Sequence, residues 1–581
     1  MMKKLPLYLF TVLLVLLPLK FGGLAVMPEA GGFYPENFSD WFFISWPPHS
    51  LGYFGGGMLI LLLLAGNLRL GKREAVIVLL WTFGTALAVL PGMIRGEKVI
   101  ALGEISLLLG AGSMIFCAAL LIREYPQWAA KFAAAIILGG VLTAFYGWHQ
   151  HLFSLEEMRN FVAEQEAAGI PLSEGMRLKL TDPRIYSTLA SSNTLASLLM
   201  IMLIIGWYLS EKWSEAVTPP RAARNVFRIF FILLFISVLI LTRSRSALFC
   251  PLLAGMLALF SYPGIRRSWR LAGIIAGAVV VAGGLFFAVH FGRGVASMGE
   301  RADYWRSCAI LCMKYPLSGA GWGGFFRTHM RIKRSEVIES ARDPHNVVAS
   351  FASQCGIPAG MVMLAVLLVP LCMLWKKRFA GDLGCAVFWC GVIFTFHSLI
   401  DCDWQVPALI AMMGILYILA VSHLPSPADF SIRYAKVLIV FAAVAAAAGG
   451  IWSSHRYIAG DRALSMLLDR INPPTPEAAA ALAVYPVDLL AEKAAALRPE
   501  AAVIPVSQGD WYFNCGALAK AEKCYARALI LDPERPAVYA RLAKIALLRG
   551  DDSEAEKLML KAHELFPKSR NYTLEKLYEG K

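Results

Sequence analysis

The sequence predicts an all-α fold: a polytopic bundle of about 12–13 transmembrane helices, with a large extracytoplasmic loop and a C-terminal helical-repeat domain. Three observations predict it. The 581 residues are 57% hydrophobic and only 17% charged, with a mean hydropathy of +0.57. Apolar stretches follow one another as far as residue 452, and the remaining tail is charged and repetitive. This composition excludes an ordinary soluble globular protein.

Thirteen apolar stretches have about the length that a helix needs to cross a bilayer. They lie near 5–21, 51–67, 74–94, 99–122, 132–151, 186–209, 227–242, 246–262, 271–291, 346–375, 383–400, 405–422 and 436–452. The first follows Lys3 and Lys4 and lacks a clear small-x-small cleavage site, so it is interpreted as a signal-anchor helix rather than a signal peptide.

The net charge of +14 is distributed among short loops rather than on one soluble module. This distribution favours membrane topology over nucleic-acid binding, and no nucleic-acid partner is expected. With the N-terminus inside, the cytoplasmic loops collect Arg69, Lys72, Arg73, Arg123, Lys131, Lys212, Arg221, Arg224, Arg228, Arg266, Arg267, Arg270, Lys376, Lys377, Arg378, Arg433 and Lys436. The short outward loops hold mainly Lys20, Arg95 and Lys98. Thirteen spans then place the C-terminal tail outside.

Two outward segments, 152–185 and 292–345, are too long to be turns. The first opens with Ser154-Leu155-Glu156-Glu157, a capping-box pattern that predicts a polar helix. Long loops with their own structure are where binding and catalysis are usually built. The predicted membrane domain therefore covers 1–452 and includes both loops.

The tail has a different composition and an internal repeat. Residues 453–501 are charged, Ala-rich and interrupted by prolines, and they are interpreted as a helical linker or a degenerate repeat. In 502–581, Gly516, Ala521, Glu522, Lys523, Ala528 and Pro533 recur 34 residues later as Gly550, Ala555, Glu556, Lys557, Ala562 and Pro567. This offset resembles tetratricopeptide repeats, which implies a groove for a protein partner.

The cysteines and histidines do not predict a metal or redox centre. The eleven cysteines contain no CxxC pair. Cys308 with Cys312, and Cys515 with Cys524, leave a disulfide open as an alternative to free thiols. His149 and His151 lack a third ligand in view. No cofactor and no metal are expected.

Two arginines at the end of an apolar run point to an anionic ligand. Arg243 and Arg245 lie in Thr242-Arg243-Ser244-Arg245-Ser246-Ala247, between two spans joined almost without a loop. Either guanidinium alone is able to snorkel to the membrane surface. Two like charges so close repel each other unless something negative lies beside them. The pattern therefore predicts an anion at the membrane surface.

The order of several motifs resembles the O-antigen ligase and O-antigen polymerase superfamily of bacterial membrane glycosyltransferases. The resemblance covers roughly residues 180–405 and rests on the following segments: Arg184-Ile185-Tyr186-Ser187, Ser192-Asn193, Thr242-Arg243-Ser244-Arg245, Arg301-Ala302-Asp303-Tyr304-Trp305, Tyr315 to Phe325 with its glycines, Asp343-Pro344-His345-Asn346, and His397-Ser398-Leu399-Ile400-Asp401.

The resemblance implies transfer of a glycan from a polyprenyl-pyrophosphate donor, of undecaprenyl type, to an acceptor hydroxyl. The implied reaction is metal-independent, inverting and located on the outer face of the bacterial inner membrane, with the repeats also extracytoplasmic. Catalytic roles fall on Arg245, Arg301 and His345. Arg245 and Arg301 match the arginines of the family and are predicted to bind the pyrophosphate. Arg243 is an extra positive charge that the motif does not require, and Arg184 is a further candidate near the same anion; both are also predicted to bind the pyrophosphate. Supporting roles are predicted for Asn346, His397 and Asp401.

The chemistry of these side chains agrees with that assignment. Fixed guanidinium groups stabilise the charge that develops on a pyrophosphate leaving group. An imidazole with an ordinary pKa near 6.5 is suited to accept the proton of the attacking hydroxyl.

Several alternatives stay open at this point. Asn346 or Asp343 is also suited simply to cap the next helix, and the glycines between 319 and 324 suit either a tight turn or phosphate binding. His397 and Asp401, four residues apart, are expected to share a helix face. A lipid acceptor makes the protein a ligase, a glycan acceptor a polymerase, and a protein acceptor an O-oligosaccharyltransferase. A non-enzymatic transporter or an envelope assembly scaffold is the alternative of another class.

Overall fold

The computed structural model describes residues 4–23, 37–43, 45–66, 69–167, 177, 180–189, 191–217, 221–264, 268, 294–334, 341–425, 435–472, 482–569 and 571–579. Within these ranges the chain is helical and contains no strand. The predicted all-α class is therefore confirmed. The predicted span at 271–291 lies outside the described residues.

The α-helices of the first 425 residues are α1 Leu5–Lys20, α2 Phe38–Phe43, α3 Leu51–Leu64, α4 Lys72–Val78, α5 Thr85–Val89, α6 Lys98–Glu124, α7 Ala129–His149, α8 Leu155–Ala167, α9 Ser192–Val217, α10 Arg221–Leu241, α11 Ser246–Ser261, α12 Gly294–Lys314, α13 Gly324–Ile332, α14 Val347–Cys355, α15 Ile357–Leu374, α16 Leu383–Ser398 and α17 Pro407–Val421. They are followed by α18 Ala435–Ile471, α19 Val487–Leu497, α20 Val503–Asn514, α21 Leu518–Leu531, α22 Pro536–Leu548, α23 Asp552–Leu565 and α24 Leu574–Tyr578.

Six of the described helical segments are long and apolar enough to cross a membrane: Lys72–Met93, Lys98–Glu124, Pro126–Ala167, Ser192–Trp213, Ile357–Lys377 and Lys436–Ile471. Six shorter apolar helices lie at Leu5–Lys20, Pro48–Leu64, Asn225–Leu241, Ser246–Ser261, Leu383–Ser398 and Pro407–Val421. These helices define a multi-pass membrane protein.

Helix α6 forms the centre of the bundle and packs against α3, α17 and α18. Small residues permit the close approach of these helices, as is usual between membrane helices. An added Cβ at Gly110 would lie 2.9 Å from the backbone nitrogen of Gly52 on α3. The Ser113 hydroxyl donates to the carbonyl of Ala446 on α18.

Two predicted elements differ from the structure near the outward segments. The polar helix predicted after Ser154 is present as α8, but Ser154 does not cap its start, because a π-helical turn at Gln150–Ser154 makes α7 and α8 continuous. The span predicted at 346–375 is broken at Gly356, whose φ is +99° and where a Cβ would lie 2.2 Å from the Leu317 carbonyl oxygen. Glycine tolerates both conditions. The break separates α14 from α15.

The tail consists of helical hairpins. Helices α20 and α21 pack as one pair, and α22 and α23 as the next. Helix α18 continues without a break past residue 452, and its Asp461 pairs with Arg498 beyond α19 at 3.2 Å. All eleven cysteines lie in the described ranges and are free thiols, including Cys308, Cys312, Cys515 and Cys524. The assignment of these hairpins to the tetratricopeptide class stays a prediction.

Candidate functional site

The polar site lies at one end of the helical bundle, where several distant segments of the chain meet. Its side chains come from the start of α9, the turn between α10 and α11, helix α12, the segment before α14 and the segment after α16. Helix ends and turns suit such a site, because their backbone and side chains are not committed to packing against lipid.

Asp401 is the centre of the site. Its carboxylate is 4% exposed. Oδ2 accepts a hydrogen bond from Asn193 Nδ2 at 2.6 Å and lies 3.4 Å from Arg301 Nη2. Oδ1 accepts from the backbone N–H of Cys402 at 2.8 Å and lies 3.8 Å from His345 Nδ1. One buried carboxylate thus joins groups that are distant in the sequence.

These contacts also set the charge of Asp401. Burial raises the pKa of its carboxyl, but the nearby imidazole of His345, the charge of His397 and the hydrogen bond from the Cys402 N–H outweigh burial. The pKa of Asp401 is therefore well below its usual range. The group is an anion that orients the cationic and donor groups around it.

His345 is held in a backbone conformation that is uncommon for a residue with a side chain. Its φ is +53°, and its backbone N–H donates to Asp343 Oδ1 at 2.8 Å. The ring stacks on Tyr304 with centroids 5.9 Å apart. Nδ1 faces Asp401 and also lies 3.0 Å from the Cys402 sulfur, so Nε2 is the nitrogen directed away from these groups. Residues held in this way are frequent at functional sites.

The surroundings shift the pKa of His345 upward. Burial lowers it, but the nearby carboxylate of Asp401 and the charge of Asp343 raise it by more, against an opposing contribution from Arg301. The net result is a pKa above the ordinary value for histidine. The imidazole is therefore a stronger base than that of an ordinary histidine.

The turn between α10 and α11, residues 242–245, carries Arg243 and Arg245 and is called the arginine turn below. It lies beside Asn193. Arg243, with φ at +50°, and Arg245 are exposed and make no ion pair with a residue in the described ranges. Between them the buried Ser244 hydroxyl donates to Asn193 Oδ1 at 2.8 Å. The turn is anchored through its serine, and its two guanidinium groups remain available to a ligand.

His397 differs from its predicted arrangement. The expectation that it shares a helix face with Asp401 holds only in part: α16 ends at Ser398, but the Asp401 N–H still donates to the His397 carbonyl at 2.9 Å. His397 Nδ1 instead contacts Asp403 Oδ2 at 2.8 Å, and Nε2 contacts the Ser246 hydroxyl at 2.8 Å. Sequence reasoning missed Asp403 and Ser246. The only feature of the sequence that pointed to them is that Asp403 lies two residues after Asp401 and Ser246 directly follows Arg245.

Asn346 and Arg184 are close to the site but have partners of their own. Asn346 caps α14, since its side-chain oxygen accepts from the Ala349 N–H at 2.9 Å. Arg184 is paired with Asp182 at 2.6 Å. The pKa of Asp182 is lowered, although burial opposes the shift, because Arg184 donates to it and Arg243 adds positive charge. Arg184 and the arginine turn therefore share one local electrostatic field.

The glycine-rich segment forms a structural turn. Gly319, Gly321 and Gly323 all have positive φ, and a Cβ on Gly321 would lie 2.1 Å from the backbone nitrogen of Gly96. The six N–H groups from 319 to 324 donate to protein acceptors, which are Tyr315, Ser353, Gln354, Gly92 and Gly321. These N–H groups are therefore occupied, which favours the tight turn over phosphate binding.

The tail reaches the elements that carry the site. Arg327 on α13 contacts Asp532 at 3.1 Å and Glu97 at 2.9 Å, and Arg331 contacts Glu534 at 3.0 Å. Helix α13 in turn packs against α12, which carries Arg301. The helical hairpins thus lie at the same end of the bundle as the site.

One group in the site has the composition of a metal centre. Ligand atoms of His345, Asp401 and Cys402 lie within 4.8 Å of one another. Arg301 lies 3.4 Å from the same Asp401 carboxylate, and its positive charge opposes a divalent cation there. This geometry agrees better with a metal-independent site, which stays a prediction.

The fold and the site together define a multi-pass membrane protein with an arginine- and histidine-containing centre at one end of its bundle. Residues 229–364 match the family model described as O-antigen ligase (Wzy_C). No curated protein matches the chain. The match supports a membrane enzyme of the glycan ligase or polymerase type. It includes Arg243, Arg245, Arg301 and His345, whereas Asn193, His397 and Asp401 lie outside it and are brought to the site by the fold.

Proposed function

We propose that the protein transfers a glycan from a polyprenyl-pyrophosphate-linked donor to an acceptor hydroxyl on the outer face of the cytoplasmic membrane. The observation that carries the proposal is the meeting of Arg301, His345 and Asp401, from three distant segments. The turn that carries the exposed Arg243 and Arg245 is linked to this cluster through Ser244 and Asn193, which donates to Asp401. A base and a set of cations in one place are what this reaction requires.

The groups divide into two roles. His345 Nε2 takes the proton of the acceptor hydroxyl while the hydroxyl oxygen bonds to the anomeric carbon. The bond from that carbon to the pyrophosphate oxygen breaks, and its electron pair goes to the leaving group. Arg301, Arg245 and Arg243 stabilise the added negative charge, and Arg184 adds to the positive field. A single displacement of this kind inverts the anomeric centre.

The distribution of charge along the helices supports the outer face as the location. Helix α9 begins near the site at Asn193 and reaches Lys212 about 28 Å further along its axis, close to the thickness of the hydrocarbon core. Lys212 belongs to the basic loops that the sequence assigns to the cytoplasm. This distance supports an extracytoplasmic location for the site and for the tail hairpins at the same end of the bundle.

The acceptor class is narrowed by the tail rather than by the site. Because the hairpins contact α13 beside the site, a protein bound to them is close to the transfer centre. This contact favours a protein acceptor or an assembly partner over an acceptor that diffuses freely. Ligation to lipid A core and polymerisation remain the competing outcomes.

The experiment that tests the proposed function replaces one arginine. We expect Arg301→Ala to lower glycan transfer from a purified polyprenyl-pyrophosphate-linked oligosaccharide by about 10²–10³-fold, because a fixed cation at the leaving group is lost. The measurement is product formation by the purified protein in lipid. Arg306→Ala on the same helix α12 is the matched control, because Arg306 contacts Asp303 rather than Asp401.

The same assay separates the alternatives. A transporter or scaffold would show no transfer by the wild-type protein, and equal activities of the Arg301 and Arg306 variants would remove Arg301 from the site. Supplying lipid A core, free glycan and a secreted protein in parallel identifies the acceptor. A product that retains the anomeric configuration contradicts the single displacement.

The pKa of His345 predicts the pH dependence of transfer. A general base must be neutral, and the pKa of His345 is raised, so we expect the rate to increase with pH and to reach half its maximum above about pH 6.5. Asp401→Asn removes a charge that raises this pKa, so the midpoint moves to lower pH. Arg301→Ala removes a charge that lowers it, so the midpoint moves to higher pH. Shifts of both variants in the same direction would contradict the role of His345.

A further inference from the structure

A chain of hydrogen bonds runs from Asp403 to the arginine turn. Asp403 Oδ2 contacts His397 Nδ1 at 2.8 Å, and His397 Nε2 contacts the Ser246 hydroxyl at 2.8 Å. Ser246 contacts Ser244 at 2.7 Å, and Ser244 contacts Asn193 at 2.8 Å. Asp403 and His397 are fully buried. The order Ser246, His397, Asp403 has the composition of a nucleophilic triad.

The donors and acceptors along the chain determine its direction. Asn193 must turn its Nδ2 toward the Asp401 carboxylate, so its Oδ1 faces Ser244 and accepts from it. The single hydroxyl proton of Ser244 is then used, and Ser244 must accept from Ser246. Ser246 has likewise used its proton and must accept from His397.

His397 Nε2 therefore carries a proton and donates it to Ser246. In a nucleophilic triad the proton would point the other way, from the serine to Nε2. With Ser244 donating to Asn193, that direction would leave two hydroxyl oxygens 2.7 Å apart with no proton between them. This repulsion disfavours the triad arrangement.

The Asp403 end of the chain is consistent with this direction. With Nε2 protonated, the 2.8 Å contact between Nδ1 and Asp403 requires a further proton between the two. The Ser197 hydroxyl also donates to Asp403 Oδ2, at 3.1 Å. Asp403 Oδ1 is buried without a hydrogen-bond partner among the described residues. A buried carboxylate in that position is stabilised by a shared proton or an adjacent imidazolium.

We propose that Asp403, His397 and Ser246 are positioning residues that hold the arginine turn and Asn193 in place, and that Ser246 is not a nucleophile. This chain of hydrogen bonds, called the relay below, runs from Asp403 through His397 to Ser246 and Ser244. It fixes the two serines that flank Arg245, and through Asn193 it orients Asp401. The kinetic consequence of this relay rests on the proposed function, whereas the proton position on His397 does not.

The proton position is tested by solid-state ¹⁵N NMR of the full-length protein in lipid bilayers, with ¹⁵N-labelled histidine. The His397 signals are identified as those that His397→Gln removes. At pH 8 we expect Nε2 of His397 to be protonated. An unprotonated Nε2 would overturn the relay and would favour the triad.

The positioning role is tested by three variants in the transfer assay. We expect Ser246→Ala to lower kcat/KM for the lipid-linked donor at least about tenfold, because both hydrogen bonds of Ser246 in the chain, to His397 and to Ser244, are lost. We expect Ser246→Thr to stay within about twofold of the wild type. Ser261→Ala, at the other end of helix α11, is the matched control and should be unchanged.

The outcomes separate the relay from the proposed function. A loss of more than about a thousandfold in Ser246→Ala that Ser246→Thr does not restore would make Ser246 a nucleophile and would overturn the relay. Full activity of Ser246→Ala would also overturn it. If the wild type transfers no glycan, the proposed function fails, and the NMR measurement still decides the proton position.

Discussion

His345→Asn is expected to lower kcat for glycan transfer by about 10²–10⁴-fold, which is the usual contribution of a general base. Asparagine tolerates positive φ better than most residues, so it suits the +53° conformation of His345 and leaves the backbone in place. Its amide cannot accept the hydroxyl proton. The measurement is the initial rate of transfer from the purified lipid-linked donor at saturating acceptor.

The control for this variant is His423→Ala. His423 is an exposed histidine just after α17 and contacts the carbonyl of Leu419, outside the site. We expect its activity to equal that of the wild type. Retention of most activity by a correctly folded His345→Asn protein would show that another group accepts the proton.

Asp401→Asn is expected to lower the free energy of unfolding by roughly 3–5 kcal/mol, because removing one partner of a buried charged cluster leaves the others uncompensated. The new amide also places donors against Asn193 Nδ2 and Arg301, which are themselves donors. The measurement is thermal unfolding of the purified protein in a fixed detergent or lipid, together with the transfer rate, which should also fall.

The matched comparison is Asp182→Asn. Asp182 makes a 2.6 Å ion pair with Arg184, but both side chains are partly exposed, so we expect a change below about 1 kcal/mol. Equal destabilisation by the two variants would show that Asp401 is not the centre of the buried network. A stable but inactive Asp401 variant would limit its role to orienting His345 and Arg301.

Much of the membrane domain follows from local sequence. Twelve of the thirteen predicted spans coincide with apolar helices. In lipid, the backbone N–H and C=O groups of a long apolar segment can pair only with one another, and a helix pairs them all. The helix break at Gly356 could not be predicted from local sequence, because the group that leaves no room for a side chain there is the carbonyl of Leu317, which is distant in the sequence. The continuity of α7 and α8 past Ser154 likewise depends on a π-helical turn that no local pattern announced.

The candidate site was predictable only in part. The resemblance of the motif order to a known family pointed to Arg301 and His345, and both residues lie in the cluster around Asp401. The side-chain partners of His397 could not be predicted from its four-residue spacing to Asp401, because α16 ends between the two residues and the loop that follows sets the position of Asp403. Asp403 and Ser246 carried no distinguishing pattern of their own.

The sequence by itself determined the helical class, the membrane environment and the presence of cationic groups near its surface, because hydropathy and charge act locally along the chain. The tertiary structure alone decided which of these groups meet. Asp401 contacts Asn193 and Arg301 across separations of 208 and 100 residues, and such contacts are set by the packing of helices against one another. The direction of the hydrogen bonds from His397 to Asn193 is also decided by the tertiary structure. Each hydroxyl has one proton, so whether it donates or accepts depends on the neighbour that the fold places beside it.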